Sequence, residues 1–269
     1  MTGSRWTRIA LRLGAGATLL FIYLPLGVIL LYSFNASSLV RWPITDLTLD
    51  WYGKALADAG IRKALIASLQ AAIGATTLAL ILGTMIAFAV HRFRFFGRDT
   101  VSFLVLLPIA LPGILTGIAL NTTFRTFGLD FGLLTVIVGH ATFCIVVVYN
   151  NVIARLRRTA RSTQEASMDL GADTFQTFRF VTLPGLGTSL VAGGLLAFAL
   201  SFDEIVVTTF TSGAGVQTLP IWIFSNYSRS QQLPLVNVAS VLVLLLSVIP
   251  VYIAARITSD PAGVAGSRR

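Results

Sequence analysis

The chain has 269 residues, of which 55% are hydrophobic and only 12% charged, where soluble domains carry roughly a quarter. A core of this length cannot hide that much apolar surface, so lipid must be the solvent for most of it, and a soluble enzyme or nucleic-acid-binding domain is excluded. The formal net charge is +9, and its placement along the chain assigns it to membrane orientation rather than to a polyanionic partner.

Arg5, Arg8 and Arg12 precede the first apolar run, Leu13–Val40. That run has 28 uncharged residues, more than the ~7–15 of a signal-peptide core, so an uncleaved first helix is expected. Further uncharged runs follow at Ala64–Val90, Thr100–Phe124, Phe131–Ala154, Val181–Phe202, Ile205–Ser228 and Ser230–Ala255. About 20 apolar residues cross a ~30 Å hydrocarbon core. The sixth run, with Thr208, Thr209, Thr211, Gly213, Gly215 and Pro220 among its residues, is too polar and broken to face lipid. It reads as the outer end of the fifth span, an extracytoplasmic loop and a short helix near 221–227. The expectation is an all-α membrane protein with about six spans, near 13–34, 65–90, 101–124, 131–154, 184–210 and 235–256.

Six spans place both termini on one side. With that side cytoplasmic, the inner segments hold fourteen of the 20 basic residues and five acidic ones, and the outer segments six of each. The inner segments therefore carry +9 and the outer ones zero, as the positive-inside rule requires. Asp260, Arg268 and Arg269 count inside, and Arg41 outside. In the first outer loop, Asp50 is expected to cap a short helix over 51–57, and Trp42, Trp51 and Tyr52 suit the membrane interface.

One cytoplasmic loop, 155–183, is longer than the rest. Ser162 with Glu165 has the spacing of a capping box, and Gly171 reads as a helix stop. Asp173 with Gln176 repeats the box and opens a second short helix. Leu183-Pro184-Gly185 turns the chain into the fifth span. Met168, Leu170, Phe175 and Phe178 would then meet the cytoplasm unless something covers them.

The spacing of Glu165-Ala166-Ser167, Gly171 and Val181-Thr182-Leu183-Pro184 resembles the E-A-A-x3-G-x9-I-x-L-P signature of ABC importer permeases, with Ser167 for alanine and Val181 for isoleucine. The resemblance implies a single permease domain over 1–269 with the type I importer fold. It makes the loop a coupling helix, with Glu165, Ala166, Ser167, Asp169, Gly171, Leu183 and Pro184 at the docking face for ABC ATPase subunits. It also implies a second homologous permease, favouring a heterodimer, and an extracytoplasmic solute-binding protein. The proline pair in Leu107-Pro108-Ile109-Ala110-Leu111-Pro112-Gly113 fits such permeases. Leu47-Thr48-Leu49-Asp50-Trp51-Tyr52 and Leu200-Ser201-Phe202-Asp203-Glu204 resemble the spermidine/putrescine branch.

No G-x-x-x-x-G-K-[ST] phosphate loop is present, since Gly53-Lys54 is followed by Ala55. The resemblance therefore leaves ATP to a partner subunit and no cofactor on this chain. No serine-nucleophile motif appears, His91 and His140 lie on different helices without a carboxylate cluster, and the lone Cys144 supports no metal site. Gly113-x-x-x-Gly117 is a helix-packing motif. Asp203 and Glu204, at the outer end of the fifth span, are candidates for a negative patch on the solute path, with Ser201, Thr208 and Thr209 beside them; two solvated helix-end carboxylates are the alternative. A cationic polyamine suits such a patch. Another amine-bearing or amino-acid-like solute, or an ion-gradient transporter in place of an ATP-driven one, remains open at this point.

Overall fold

A computed structural model describes residues 5–38 and 42–259. Arg41, Asp260, Arg268 and Arg269 from the charge distribution, and the end of the first apolar run at Val40, lie outside the described residues. The elements in chain order are α1 (Arg5–Ser33), α2 (Asp50–Ala57), α3 (Ala59–Arg92), α4 (Arg98–Ala110), α5 (Gly113–Thr126) and α6 (Leu133–Arg158). There follow α7 (Arg161–Asp169), α8 (Thr174–Thr177), a π-turn (Phe178–Thr182), α9 (Leu183–Gly185), α10 (Gly187–Phe202), α11 (Val206–Thr211), α12 (Leu219–Asn226), a 3-10 turn (Ser230–Gln232) and α13 (Leu233–Ser259).

Among the described residues four helices, α1, α3, α6 and α13, are each long and apolar enough to cross a membrane, and the number is six if each of two bent pairs is one span. The expected third span, 101–124, is not one rod: α4 and α5 meet at 108°. Only one of the two prolines breaks it. Leu111 is extended at φ −82 and ψ 145, as a residue before proline must be, whereas Pro108 sits inside α4 without ending it. The expected fifth span, 184–210, is also divided. The stretch Thr174–Gly185 meets α10 at 63°, and the helix stops again at Asp203 before α11 resumes at Val206. The short outer helix expected near 221–227 is α12.

The backbone falls into two compact units. The first comprises Met1–Arg62 with Trp222–Leu242. In it α1 exposes Leu20, Phe21 and Tyr23 and buries only Ser33, the surface of a helix solvated by lipid. The chain then closes back on the end of α1. Trp51 Nε1 donates to the Asn35 carbonyl at 2.9 Å, and Ser33 Oγ lies 2.8 Å from Tyr52 Oη. Trp51 and Tyr52 are thus half-buried structural groups, and of the three interfacial aromatics only Trp42 is fully exposed. The expected cap is displaced: Asp50 is the first residue of α2 and makes no capping bond, where its charge still suits the helix N-terminus. The capping carboxylate belongs to Asp58, whose Oδ1 accepts the Ile61 N–H at 2.8 Å as α3 begins.

The second unit comprises Lys63–Ile221 with Val243–Arg269. Its core is built on small residues. Along α3, Ala71, Ala75, Ala79, Gly83 and Ala87 recur every fourth position and are all buried. Lipid gives helices no hydrophobic reason to associate, so close backbone approach supplies the contact. A Cβ on Gly83 would stand 3.0 Å from the Ile145 carbonyl and 3.1 Å from Val148 Cβ on α6. Gly193 of α10 also lies against Val148, and against Asn151 one turn further along α6. Cys144 is fully buried there, its thiol donating to the Ala197 carbonyl at 3.3 Å.

Candidate functional site

The turns of the loop 155–183 are set by local bonds. α7 ends in a Schellman turn: the Gly171 N–H donates to the Met168 carbonyl at 2.9 Å and the Ala172 N–H to the Ser167 carbonyl at 3.1 Å. Gly171 has φ +90, a region that favours glycine. α8 then starts on the capping box read from the sequence. Asp173 Oδ1 accepts the Gln176 N–H at 2.8 Å and Gln176 Oε1 accepts the Asp173 N–H at 2.9 Å. The first box does not form. α7 begins at Arg161 with Ala160 as N-cap and no side-chain capping bond, which leaves Ser162 inside the first turn. Ser167, the departure from alanine, gains a contact instead, its Oγ 3.2 Å from Thr177 Oγ1.

Three contacts tie this loop and the turn that follows it to α3 and α6. Arg155 Nε of α6 donates to the Gly185 carbonyl at 3.1 Å, Arg92 Nη1 of α3 to Gln164 Oε1 at 3.4 Å, and the rings of Phe88 and Phe178 meet edge to face at 5.1 Å. Phe178 is thereby half-buried and leaves the exposed set. Leu170 remains 90% exposed and Phe175 67%, with Met168, Phe180 and Leu183 also exposed. Glu165, Ala166, Asp169 and Pro184 are exposed as well, and Ser167 is half-buried. The loop thus carries an exposed apolar surface, Leu170, Phe175 and Phe180, on a hydrogen-bonded polar hairpin.

The second feature is the break in the fifth span. Asp203 lies in the break, exposed, its carboxylate making no hydrogen bond or ion pair to another described residue. Glu204 is committed locally, because its Oε1 accepts the Val207 N–H at 2.8 Å and so caps α11. Ser201 and Thr208 are 2% and 0% exposed. Their hydroxyls lie 2.8 Å and 2.7 Å from the two ring nitrogens of His140 on α6. The structure therefore brings Ser201 and Thr208 together around a buried imidazole, apart from the exposed Asp203 and Thr209. His140 pins the end of α10 and the start of α11 to one helix, a role the sequence reading missed. Its place in the middle of an uncharged run was the available signal, since an ionisable residue at that depth needs partners.

α11 is seated by the glycine motif. A Cβ on Gly117 would lie 2.5 Å from Phe210 Cδ2, and one on Gly113 3.4 Å from Val206 Cγ1. Asn121 Nδ2 donates to the Phe210 carbonyl at 2.6 Å and Thr135 Oγ1 to the Thr211 carbonyl at 2.8 Å. The short helix after the break is thus held by α5 and α6 together.

Known proteins are similar to this chain in sequence or in fold. The chain is 37% identical over 249 residues to the putrescine transport system permease protein PotI of Escherichia coli (strain K12), covering 90% of this chain and 86% of that one. It is 31% identical over 241 residues to the spermidine/putrescine transport system permease protein PotC of the same organism, covering 89% and 90%. Among solved structures, a bacterial ABC transporter involved in the import of the acidic polysaccharide alginate superposes with a TM-score of 0.69 at 19% identity, over 97% of this chain and 99% of that one. The methionine ABC transporter MetNI in an inward-facing conformation gives 0.58 at 18%, over 80% and 99%. These two share the fold. Residues 60–260 match the family described as binding-protein-dependent transport system inner membrane component, and the chain belongs to that family, as a transport subunit and not an enzyme.

Proposed function

We propose that the chain is the permease subunit of an ATP-driven importer that carries a polyamine, putrescine or spermidine, into the cytoplasm. The observation that carries the substrate is the 37% identity to a putrescine permease over 90% of the chain. The exposed Asp203 supports it, because an unpaired carboxylate at a helix break is a complement for a cationic amine. The termini and the 155–183 loop are cytoplasmic, on the strength of the arginine distribution.

The loop supports docking of an ABC ATPase through Glu165, Ala166, Ser167, Asp169, Gly171, Leu183 and Pro184. Its bonds to α3 and α6 would carry a push on α7 to those helices as a rigid body. ATP is bound by that partner. A second, homologous permease completes the pathway. A solute-binding protein delivers the amine from outside, as an alginate transporter with this fold has been seen in complex with an alginate pentasaccharide-bound periplasmic protein. The test is uptake of labelled putrescine and spermidine by cells with and without the gene. Uptake that falls on deletion and returns with the wild-type chain supports the reading. Unchanged uptake of both amines removes the polyamine assignment.

A further inference from the structure

The inner ends of the long helices carry more positive charge than the loop uses. Arg92 closes α3, Arg98 opens α4 and Arg157 lies in the last turn of α6. With Arg94 they line one cavity of about 650 Å³, whose other wall includes Gln164 and Glu165 of α7. Arg92 makes a single long bond to Gln164. Arg94, Arg98 and Arg157 have no side-chain hydrogen bond or ion pair to another described residue. Four guanidinium groups thus face one carboxylate. Orientation in the membrane requires arginines on this side but not their convergence. Like charges gathered in a concave wall raise the local concentration of anions, and the guanidinium fork matches phosphate oxygens in pairs.

An apolar groove of about 530 Å³ adjoins the cavity, lined by Leu80, Ile81, Met85, Phe88, Phe93 and Leu190. Phe88 belongs to both walls. From Leu80 to Ala89 the groove follows α3 for about 14 Å at 1.5 Å per residue, and Phe93 extends it just past the helix end, against the ~15 Å of one leaflet's hydrocarbon. A phosphate ion or an acidic peptide would fill the cavity and leave the groove unused. An anionic phospholipid fills both.

We propose that this cavity and groove bind one anionic phospholipid, with its phosphate among Arg94, Arg98 and Arg157 and an acyl chain along the Leu80–Phe88 face. Because Gln164 and Glu165 share the cavity, the headgroup buttresses α7 and makes the position of the docking helix depend on the lipid. Assigning the lipid to the cytoplasmic leaflet rests on the orientation proposed above, but the binding does not.

The test is native mass spectrometry of the full-length chain, purified with its co-expressed partners in a neutral detergent and titrated with phosphatidylglycerol, phosphatidylcholine or inorganic phosphate. Phosphatidylglycerol is expected to bind at least tenfold more tightly than phosphatidylcholine. At about fivefold per arginine near an anionic lipid, the variant Arg94→Gln/Arg98→Gln/Arg157→Gln should lose roughly a hundredfold. Arg94→Gln alone, on an exposed link, should lose about fivefold and serves if the triple variant does not fold. Ile81→Trp should weaken phosphatidylglycerol and leave phosphate unaffected. Equal affinity for the two lipids, an unchanged affinity in the arginine variants, or full competition by phosphate with no effect of Ile81→Trp would each overturn the proposal. So would phosphatidylglycerol binding that appears only after the ATPase is stripped from the purified complex, which would make the cavity a protein-docking face. A polyamine reading that fails in the uptake assay leaves these affinities untouched.

Discussion

Replacing Gly171 tests whether the docking loop works through its turn. Gly171 has φ +90, and no atom lies within 4 Å of where its Cβ would be. A side chain there meets open space, so the cost is the backbone's alone, about 1–2 kcal/mol for a residue with a Cβ in left-handed conformation. That corresponds to roughly 5–30-fold in the population of the turn. Relief of the strain opens the Gly171–Met168 and Ala172–Ser167 bonds and frees α7 from α8. The assay is the amount of ATPase that co-purifies with the tagged chain, alongside uptake. Gly171→Asn should lose least, because asparagine tolerates this region, Gly171→Ala more, and the β-branched Gly171→Val most. Expression should stay level across the three. Wild-type ATPase retention in Gly171→Val, or a larger loss in Gly171→Asn than in Gly171→Val, would refute the reasoning.

Other consequences concern the broken span. His140→Phe removes two hydrogen bonds from buried hydroxyls and should cost about 1–3 kcal/mol, seen as a lower unfolding midpoint, while His140→Gln recovers part of it. Gly117→Leu should overpack against Phe210 by about 1–3 kcal/mol and reduce folded yield; the double variant with Phe210→Ala should recover yield, and no recovery would place the clash elsewhere. Asp203→Asn should lower polyamine uptake more than it lowers expression, and equal loss of both defeats a pathway role. Glu204→Ala should instead destabilise by about 1 kcal/mol through the lost cap of α11, with Glu204→Gln milder because an acceptor remains.

Much of this was legible in the sequence where a rule is local. The long helices follow uncharged runs, Gly171 takes the positive φ its place after α7 suggested, and Asp173 with Gln176 forms its box. The failures are of two kinds. Caps shifted where another residue could begin the helix: Ala160 starts α7 in place of Ser162, and Asp50 enters α2 while Asp58 caps α3. The second kind is tertiary. That Pro112 bends the third span by 108° while Pro108 lies quietly in α4 depends on what receives the freed backbone. Pairing of His140 with Ser201 and Thr208 joins residues 61 and 68 positions apart, which no periodicity reports. The every-fourth small residue on α3 was present in the sequence but hidden inside a run read only for its hydrophobicity.

The most direct test of the central account is transport in sealed vesicles. The purified chain, reconstituted with its partner permease, ATPase and solute-binding protein, should accumulate labelled putrescine only when ATP is hydrolysed, and its rate should fall roughly 5–30-fold when Gly171→Val replaces the wild-type chain. Accumulation by this chain under an ion gradient, without ATP or the ATPase, would contradict it.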